Sequence, residues 1–156
     1  MIRAATSADV PTILRFVREL AAFEREANAV LATEPMLAEA LFGTAPAAEA
    51  VVAELDGDAV GFALFFHNFS TWEGRRGLYL EDLYVTPEAR GRGIGKALLR
   101  HLAAIAVERG CARFEWSVLD WNANAIALYR AMGAVGQDEW TVQRVTGEAL
   151  QRLAGR

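Results

Sequence analysis

The chain of 156 residues has one cysteine, four prolines and no long uninterrupted apolar run. A lone Cys111 excludes a disulfide within the chain and offers no cluster of thiolates for zinc, so we expect an ordinary small side chain without a histidine partner. Residues 1–9 lack the basic stretch and apolar core of a secretory signal, and no segment is apolar enough to cross a bilayer. These absences predict a cytoplasmic protein without a membrane partner.

The chain also lacks a run of basic residues. Its formal net charge is -4 and its arginines are scattered, so we expect no nucleic-acid partner, whereas a cationic substrate would suit this balance. Hydrophobic residues make up 53% and charged residues 23%, which is typical of a folded globular chain. The length suits one hydrophobic core and no repeat or linker interrupts it, so residues 1–156 are predicted to form a single domain.

Apolar spacing predicts a mixed α/β (α+β) arrangement. Two apolar runs flank Asp56-Gly57, a dipeptide that is a strong signal for a hairpin between antiparallel strands. Early hairpins followed by a strand-helix-strand segment exclude a doubly wound fold. The predicted strands cover residues 2–5, 50–55, 59–66, 78–85, 114–119 and 140–145, and the predicted helices cover residues 10–21, 36–42, 96–109 and 124–132, with a frayed helix at the end.

A glycine-rich turn at residues 90–96 stands between a predicted strand and a predicted helix. Successive backbone N–H groups of such a turn can face one concavity at the positive end of the helix dipole, which suits a phosphate unless the segment is only a tight turn. A Walker A loop is excluded because it needs glycine at position 90 and Ser or Thr at 97, where Arg90 and Ala97 stand. A dinucleotide fingerprint fits poorly because its third glycine comes one residue early.

The pattern that does fit is R/Q-x-x-G-x-G/A, which Arg90, Gly93 and Gly95 match. Residues 19–24 (Glu-Leu-Ala-Ala-Phe-Glu), residues 80–85 (Leu-Glu-Asp-Leu-Tyr-Val) and residues 120–129, from Asp-Trp-Asn to Leu-Tyr, extend the match over nearly the whole chain. In these segments the sequence resembles the GNAT superfamily of N-acetyltransferases, and within it the diamine (spermidine/spermine) N-acetyltransferases. The resemblance implies a splayed, mixed antiparallel and parallel sheet flanked by helices, with acetyl-CoA between two diverging central strands.

The resemblance also implies roles for individual residues. Glu81 would take the proton of the attacking amine, because an alkyl ammonium with a pKa of ~10.4 is protonated at neutral pH, and Tyr129 would protonate the departing thiolate. The amine would be bound by Phe23, Glu24 and Glu81, without a metal. Acetyl-CoA would be bound by the strand residues Leu83, Tyr84 and Val85, by Arg90, Gly91, Arg92, Gly93, Ile94, Gly95 and Lys96 of the turn, and by Asn122 and Asn124.

Alternatives remain open for these residues and for the function. Glu81 could be an ion-paired carboxylate, Tyr129 a packing residue, and either asparagine a helix cap. The expected reaction is direct transfer from acetyl-CoA to a diamine, a polyamine or a lysine-like amine in a ternary complex. A catalytically silent acyl-CoA-binding module and an enzyme acting on a protein N-terminus are the alternatives. Ser70 replaces an aspartate of the polyamine enzymes, which leaves the amine open, and the resemblance implies a homodimer.

Overall fold

The computed structural model describes all residues, Met1–Arg156, and contains two compact units, Met1–Leu119 and Asp120–Arg156. The strands, all in the first unit, are β1 (Ile2–Ala4), β2 (Glu49–Leu55), β3 (Asp58–Ser70), β4 (Arg75–Val85) and β5 (Phe114–Trp116). The helices are α1 (Val10–Phe23), α2 (Glu34–Phe42) and α3 (Ile94–Glu108) in the first unit, and α4 (Ala123–Ala131) and α5 (Gly147–Leu153) in the second. Every helix is too short or too polar to qualify as a membrane-spanning segment.

The five strands form one sheet in the order β1-β2-β3-β4-β5. The first four strands pair antiparallel, and β4 pairs with β5 in parallel. The predicted hairpin between β2 and β3 is confirmed, since Asp56 and Gly57 both have positive φ angles, 52° and 88°, as tight two-residue hairpins require. The mixed sheet with flanking helices confirms the expected fold class.

Successive side chains of β4 point to opposite faces of the sheet, and a helix packs against each face. Tyr84 lies with its ring centroid 5.5 Å from that of Phe16 on α1, and Phe16 stacks on Phe62 of β3. On the other face, Leu83 and Val85 approach Gly95 in the first turn of α3. The buried rings and the close helix–strand approach together fix the position of β4 in the core of the first unit.

The sheet splays at the middle of β4. Parallel pairing with β5 runs from Leu78 opposite Phe114 to Leu80 opposite Trp116 and stops there, whereas β3 stays paired to the end of β4. The β3–β4 register shifts at the same place, so that Glu81 is the extra residue of a β-bulge. A bulge bends its strand and increases the local twist. The predicted divergence of two central strands is therefore confirmed.

One predicted strand is absent, another is shorter than predicted, and β3 continues to Ser70, beyond the predicted end at residue 66. Residues 140–145 form no strand, because a strand needs a neighbour to pair its N–H and C=O groups and the second unit contains only the helices α4 and α5. Trp140 and Val142 of this segment are exposed. β5 ends at Trp116 rather than at residue 119, because β4 turns away beyond this point.

Asp9 joins β1 to the start of α1. Its carboxylate, in a residue only 8% exposed, accepts hydrogen bonds from Arg3 Nη1 and Nη2 at 2.8 and 2.9 Å and from the Thr6 N–H at 2.7 Å. These bonds lower the pKa of Asp9 to about 2 despite its burial, the contribution of Arg3 being the largest. The paired carboxylate therefore stabilises the fold as an anion.

We expect Asp9→Asn to lower the free energy of unfolding by about 2 kcal/mol, because it leaves the partly buried guanidinium of Arg3 without this charge partner. The stabilisation by Asp9 is complete above its unfolded pKa of 3.8 and is lost as the pH falls toward about 2, so the difference from the wild type should shrink on acidification. Urea unfolding at several pH values measures it. Glu148→Gln, in an exposed pair with Arg152, is the control and should change little; equal effects at both positions would contradict this account.

Candidate active site

The edge of β4 beyond its bulge offers free backbone groups on the side of β5. The Thr86 N–H donates to the Val60 carbonyl at 2.8 Å, and pairs that exchange hydrogen bonds alternate along an antiparallel ladder, so Tyr84 exchanges its bonds with Phe62. The N–H and C=O groups of Leu83 and Val85 then point away from β3, where β5 no longer pairs. An acyl chain with amide groups could add to this edge as a further strand would.

The glycine-rich turn has the backbone conformation that anion binding requires. Gly91 and Gly93 have φ angles of 76° and 78°, a region that favours glycine, and α3 begins at Ile94 directly after them. No protein atom lies within 4 Å of the position that a Cβ would take at either glycine, so an anion can approach the backbone there. Arg92 and Lys96 are exposed beside this backbone.

Three carboxylates lie together near the bulge without a cationic partner. Burial raises the pKa of Asp82 to about 6, and the charges of Glu81 and Glu24 add to the increase. Burial also raises the pKa of Glu24, which directly follows α1. Glu81 is exposed, and none of the three takes part in an ion pair. Such a cluster attracts a cation and can accept its proton near neutral pH.

Asp82 is the site residue that sequence reasoning missed. In a regular strand, adjacent residues such as Glu81 and Asp82 point to opposite faces, and only the first was given a role. The bulge interrupts this alternation, and Asp82 pairs with Leu64 on the face that carries α1, toward Glu24. The available signal was a second carboxylate, directly after Glu81, in the largely apolar run of residues 78–85 with no basic residue next to it.

The other residues that were predicted to bind acetyl-CoA or to protonate the leaving group lie in the second unit. Tyr129 is half-buried on α4. Asn122 is the N-cap of α4, its side-chain oxygen accepting a hydrogen bond from the Ala125 N–H at 3.4 Å, so the alternative of a helix cap holds for this residue. Asn124 lies exposed in the first turn of the same helix.

Cys111 does have a histidine neighbour, contrary to expectation. Its sulfur lies 3.8 Å from Nδ1 of His67. That nitrogen donates to the Gly77 carbonyl at 2.9 Å, and Nε2 accepts from Arg109 Nη1 at 3.0 Å, so neither ring nitrogen is free to deprotonate the thiol. Cys111 also follows the C-terminal end of α3, whereas the glycine-rich turn precedes its N-terminal end, about 22 Å away for 15 residues. The pair is structural.

Two other features bear on the ligands of the site. Ser70, which stands where the polyamine enzymes carry an aspartate, accepts a hydrogen bond from the Glu73 N–H at 3.2 Å within the β3–β4 turn. No group of three or more His, Cys, Asp or Glu side chains is arranged to hold a metal ion.

Comparisons with known proteins bear on the family and the fold of the chain. Residues 15–134 match the acetyltransferase (GNAT) family. The chain is 41% identical to a thialysine N-epsilon-acetyltransferase of Bos taurus over 100% of this chain and 98% of that protein. It is 34% identical to the human spermidine/spermine N(1)-acetyltransferase-like protein 1, over 98% of this chain and 23% of that protein. Among solved structures, an integron cassette protein of V. cholerae matches with a TM-score of 0.82 and 28% identity, covering 100% of this chain and 98% of that one.

We expect Asp82→Asn to make the protein more stable at neutral pH, by about 1–2 kcal/mol, since it removes a half-buried charge that repels its neighbours. Between the unfolded pKa of 3.8 and about 6, the folded wild type holds a proton that the unfolded chain has released, so its free energy of unfolding falls as the pH rises through this window. Urea unfolding across this window should show that slope in the wild type and a flatter one in the variant. Asp58→Asn, at the exposed start of β3, is the matched control, and an unchanged slope in Asp82→Asn would contradict the assignment.

Proposed function

The chain belongs to the GNAT acetyltransferase family, and on this premise we propose that the carboxylates of β4 and α1 select a cationic primary amine and remove its proton. The protein is an acetyl-CoA-dependent N-acetyltransferase that transfers the acetyl group to an amine by direct attack in a ternary complex. The observation that carries the proposal is the cluster of Glu24, Glu81 and Asp82 without a cationic partner, beside a strand edge with free backbone groups.

Acetyl-CoA is bound along the open edge of β4 and at the glycine-rich turn. The backbone groups of Leu83 and the N–H of Val85 hydrogen-bond the pantetheine arm and the acetyl carbonyl, and the N–H groups of the turn hold the pyrophosphate at the N-terminal end of α3. A backbone N–H of this edge stabilises the oxyanion that develops on the acetyl carbonyl. Tyr84 supports this arrangement through its side chain, because its backbone is used in pairing with β3.

The reaction needs two proton transfers, one from the attacking amine and one to the leaving thiolate, and different residues carry them out. Glu81 takes the proton of the ammonium group through water, which gives the nitrogen a lone pair to attack the acetyl carbon. Asp82 and Glu24 hold the amine as a cation before that step, and Phe23 contacts its apolar part. As the carbon–sulfur bond breaks, Tyr129 gives its phenolic proton to the thiolate of coenzyme A. Asn122 and Asn124 contact the coenzyme near this tyrosine.

The amine is a lysine-like amino acid or a diamine rather than a protein N-terminus. The relative from Bos taurus is named for thialysine and its ε-amine, and the human relative for spermidine and spermine, all of which carry a terminal ammonium on a flexible chain. An acidic cluster suits such a cation better than it suits an α-amine with a pKa of about 7.7–8.0, much of which is already neutral at pH 7.5. Ser70 in place of the aspartate of the polyamine enzymes weighs against a polyamine as the substrate.

The assembly and location of the enzyme are part of the same proposal. Residues 1–156 act as one catalytic domain that works as a homodimer in the cytoplasm, where acetyl-CoA is available. The family resemblance and the exposed apolar side chains of Trp140, Val142 and Leu153 support a dimer. Analytical ultracentrifugation tests this part on its own.

The base assignment predicts a pH-dependent defect in Glu81→Gln. The variant keeps the shape of the side chain but cannot accept a proton, so kcat/KM at pH 7 should fall by roughly 10²–10⁴-fold. The rate should rise with pH as solution supplies neutral amine, and it should approach the wild type near the pKa of the substrate. Coenzyme A release with a panel of thialysine, lysine, ornithine and diamines measures both the profile and the preferred amine.

Asp58→Asn, an exposed acid at the start of β3, serves as the control, with circular dichroism as a check of folding. Parallel pH profiles for the wild type and Glu81→Gln would remove the base assignment. Absence of coenzyme A release above background with every amine would favour the catalytically silent module instead.

The acid assignment predicts that Tyr129→Phe lowers kcat by roughly 10–10⁴-fold and leaves the KM of acetyl-CoA nearly unchanged, because only the hydroxyl is lost. Steady-state kinetics with both substrates varied separate the two constants. Tyr79→Phe, which removes the hydroxyl that contacts Ser117 at 2.9 Å, is the control for loss of a phenol elsewhere. Wild-type turnover in Tyr129→Phe would reduce this residue to packing.

A further inference from the structure

We propose that Arg90 is a positioning residue that couples the acetyl-CoA turn to the amine side of the site, rather than a ligand of the pyrophosphate. The inference rests on the proposed function and assigns a different role to the first residue of the glycine-rich turn. Three contacts of its guanidinium carry the argument, and all three lie within the protein.

The first contact holds the end of β4. Arg90 Nε donates to the Val85 carbonyl at 2.9 Å. This carbonyl belongs to the edge that β5 leaves unpaired, so the arginine occupies the last acceptor of that edge before the chain turns. The bond closes the segment from Val85 to Arg90 into a loop that includes the 3₁₀ turn Pro87–Ala89, and so it fixes where Gly91 and Gly93 follow.

The other two contacts lie on aromatic faces of the amine side. The guanidinium carbon lies 5.3 Å from the ring centroid of Phe23, the last residue of α1, and 5.6 Å from that of Tyr84. Both distances lie within the range of cation–π attraction. The arginine therefore links the turn that precedes α3 to the end of α1, on the opposite face of the sheet.

The far end of this link is itself anchored. The Tyr84 hydroxyl donates to Glu19 Oε2 at 2.6 Å, which ties β4 to the middle of α1. Phe23 directly precedes Glu24, whose charge raises the pKa of Asp82. A shift of the Arg90 side chain would therefore move both the glycine-rich turn and the carboxylates of the amine pocket.

Arg92 provides the contrast within the same turn. Both arginines are exposed, but Arg92 makes no hydrogen bond or ion pair to the protein, so its guanidinium is free to meet a phosphate. These two arginines therefore have different roles. Arg92 provides a positive charge for the phosphate, whereas Arg90 positions the groups that bind the two substrates.

The test compares Arg90→Lys, Arg90→Gln and Arg92→Ala with two acetyl donors, acetyl-CoA and S-acetylpantetheine, which has no phosphates. Arg90→Lys keeps the charge but loses the planar guanidinium, so we expect the KM of both donors to rise about tenfold and the KM of the amine several-fold. Arg90→Gln keeps an N–H for the Val85 carbonyl but loses both cation–π contacts, so it should raise the KM of both donors and of the amine at least as much as Arg90→Lys. Arg92→Ala should raise the KM of acetyl-CoA alone.

A phosphate ligand at position 90 instead predicts that both Arg90 variants raise the KM of acetyl-CoA and leave the KM values of S-acetylpantetheine and of the amine unchanged. That result, or an unchanged KM for the amine in both Arg90 variants, would overturn the proposal. Thermal unfolding of each variant verifies the fold. If the wild type releases no coenzyme A with any amine, the proposed function fails, while calorimetric Kd values for coenzyme A and pantetheine in the same variants still decide the role of Arg90.

Discussion

The end of parallel pairing between β4 and β5 is the constraint on which the rest of the site depends. Pairing stops at Leu80, one residue before the bulged Glu81, and from there β4 keeps a partner on only one side. Unpaired backbone groups inside a protein are costly unless something bonds them, so an edge of this kind needs a ligand, water or a side chain. Arg90 supplies one such partner at Val85, and the backbone of Leu83 faces the same opening. The bulge thus coincides with the start of the open edge and places a carboxylate beside it.

Two aspartates of the first unit show how environment separates stability from function. Asp9 is buried against Arg3, which lowers its pKa to about 2, and it stabilises the fold as an anion. Asp82 is buried near Glu81 and Glu24, and its pKa rises to about 6, so its charge works against the fold at neutral pH. An unpaired charge that destabilises the fold is typical of residues whose charge a bound ligand neutralises. A bound ammonium group would supply the missing counter-charge.

Much of the architecture could be predicted from local sequence signals. The Asp56-Gly57 hairpin, the apolar spacing of α1 and the glycine-rich start of α3 each depend on neighbouring residues alone, and the structure has them where the sequence indicated. The register of β4 depends on contacts with two strands, one of them distant in the sequence. Neither the bulge at Glu81 nor the closeness of Asp82 to Glu24 could therefore be predicted from neighbouring residues. The same limit explains why residues 140–145 were wrongly predicted as a strand: their apolar residues resemble those of a strand, although the second unit offers no strand to pair with. It also explains why the contact of Cys111 with His67 was missed, since the two residues are 44 positions apart in the sequence.

Amide hydrogen exchange, measured residue by residue with and without acetyl-CoA, tests the account of the open edge most directly. The account predicts that the amides of Leu83 and Val85 exchange fast in the free protein and slow strongly when acetyl-CoA is bound. The amide of Tyr84, bonded to β3 in both states, should be protected throughout. Protection of Leu83 and Val85 in the free protein, or no change at either on binding, would contradict the claim that this edge of β4 holds the acetyl donor.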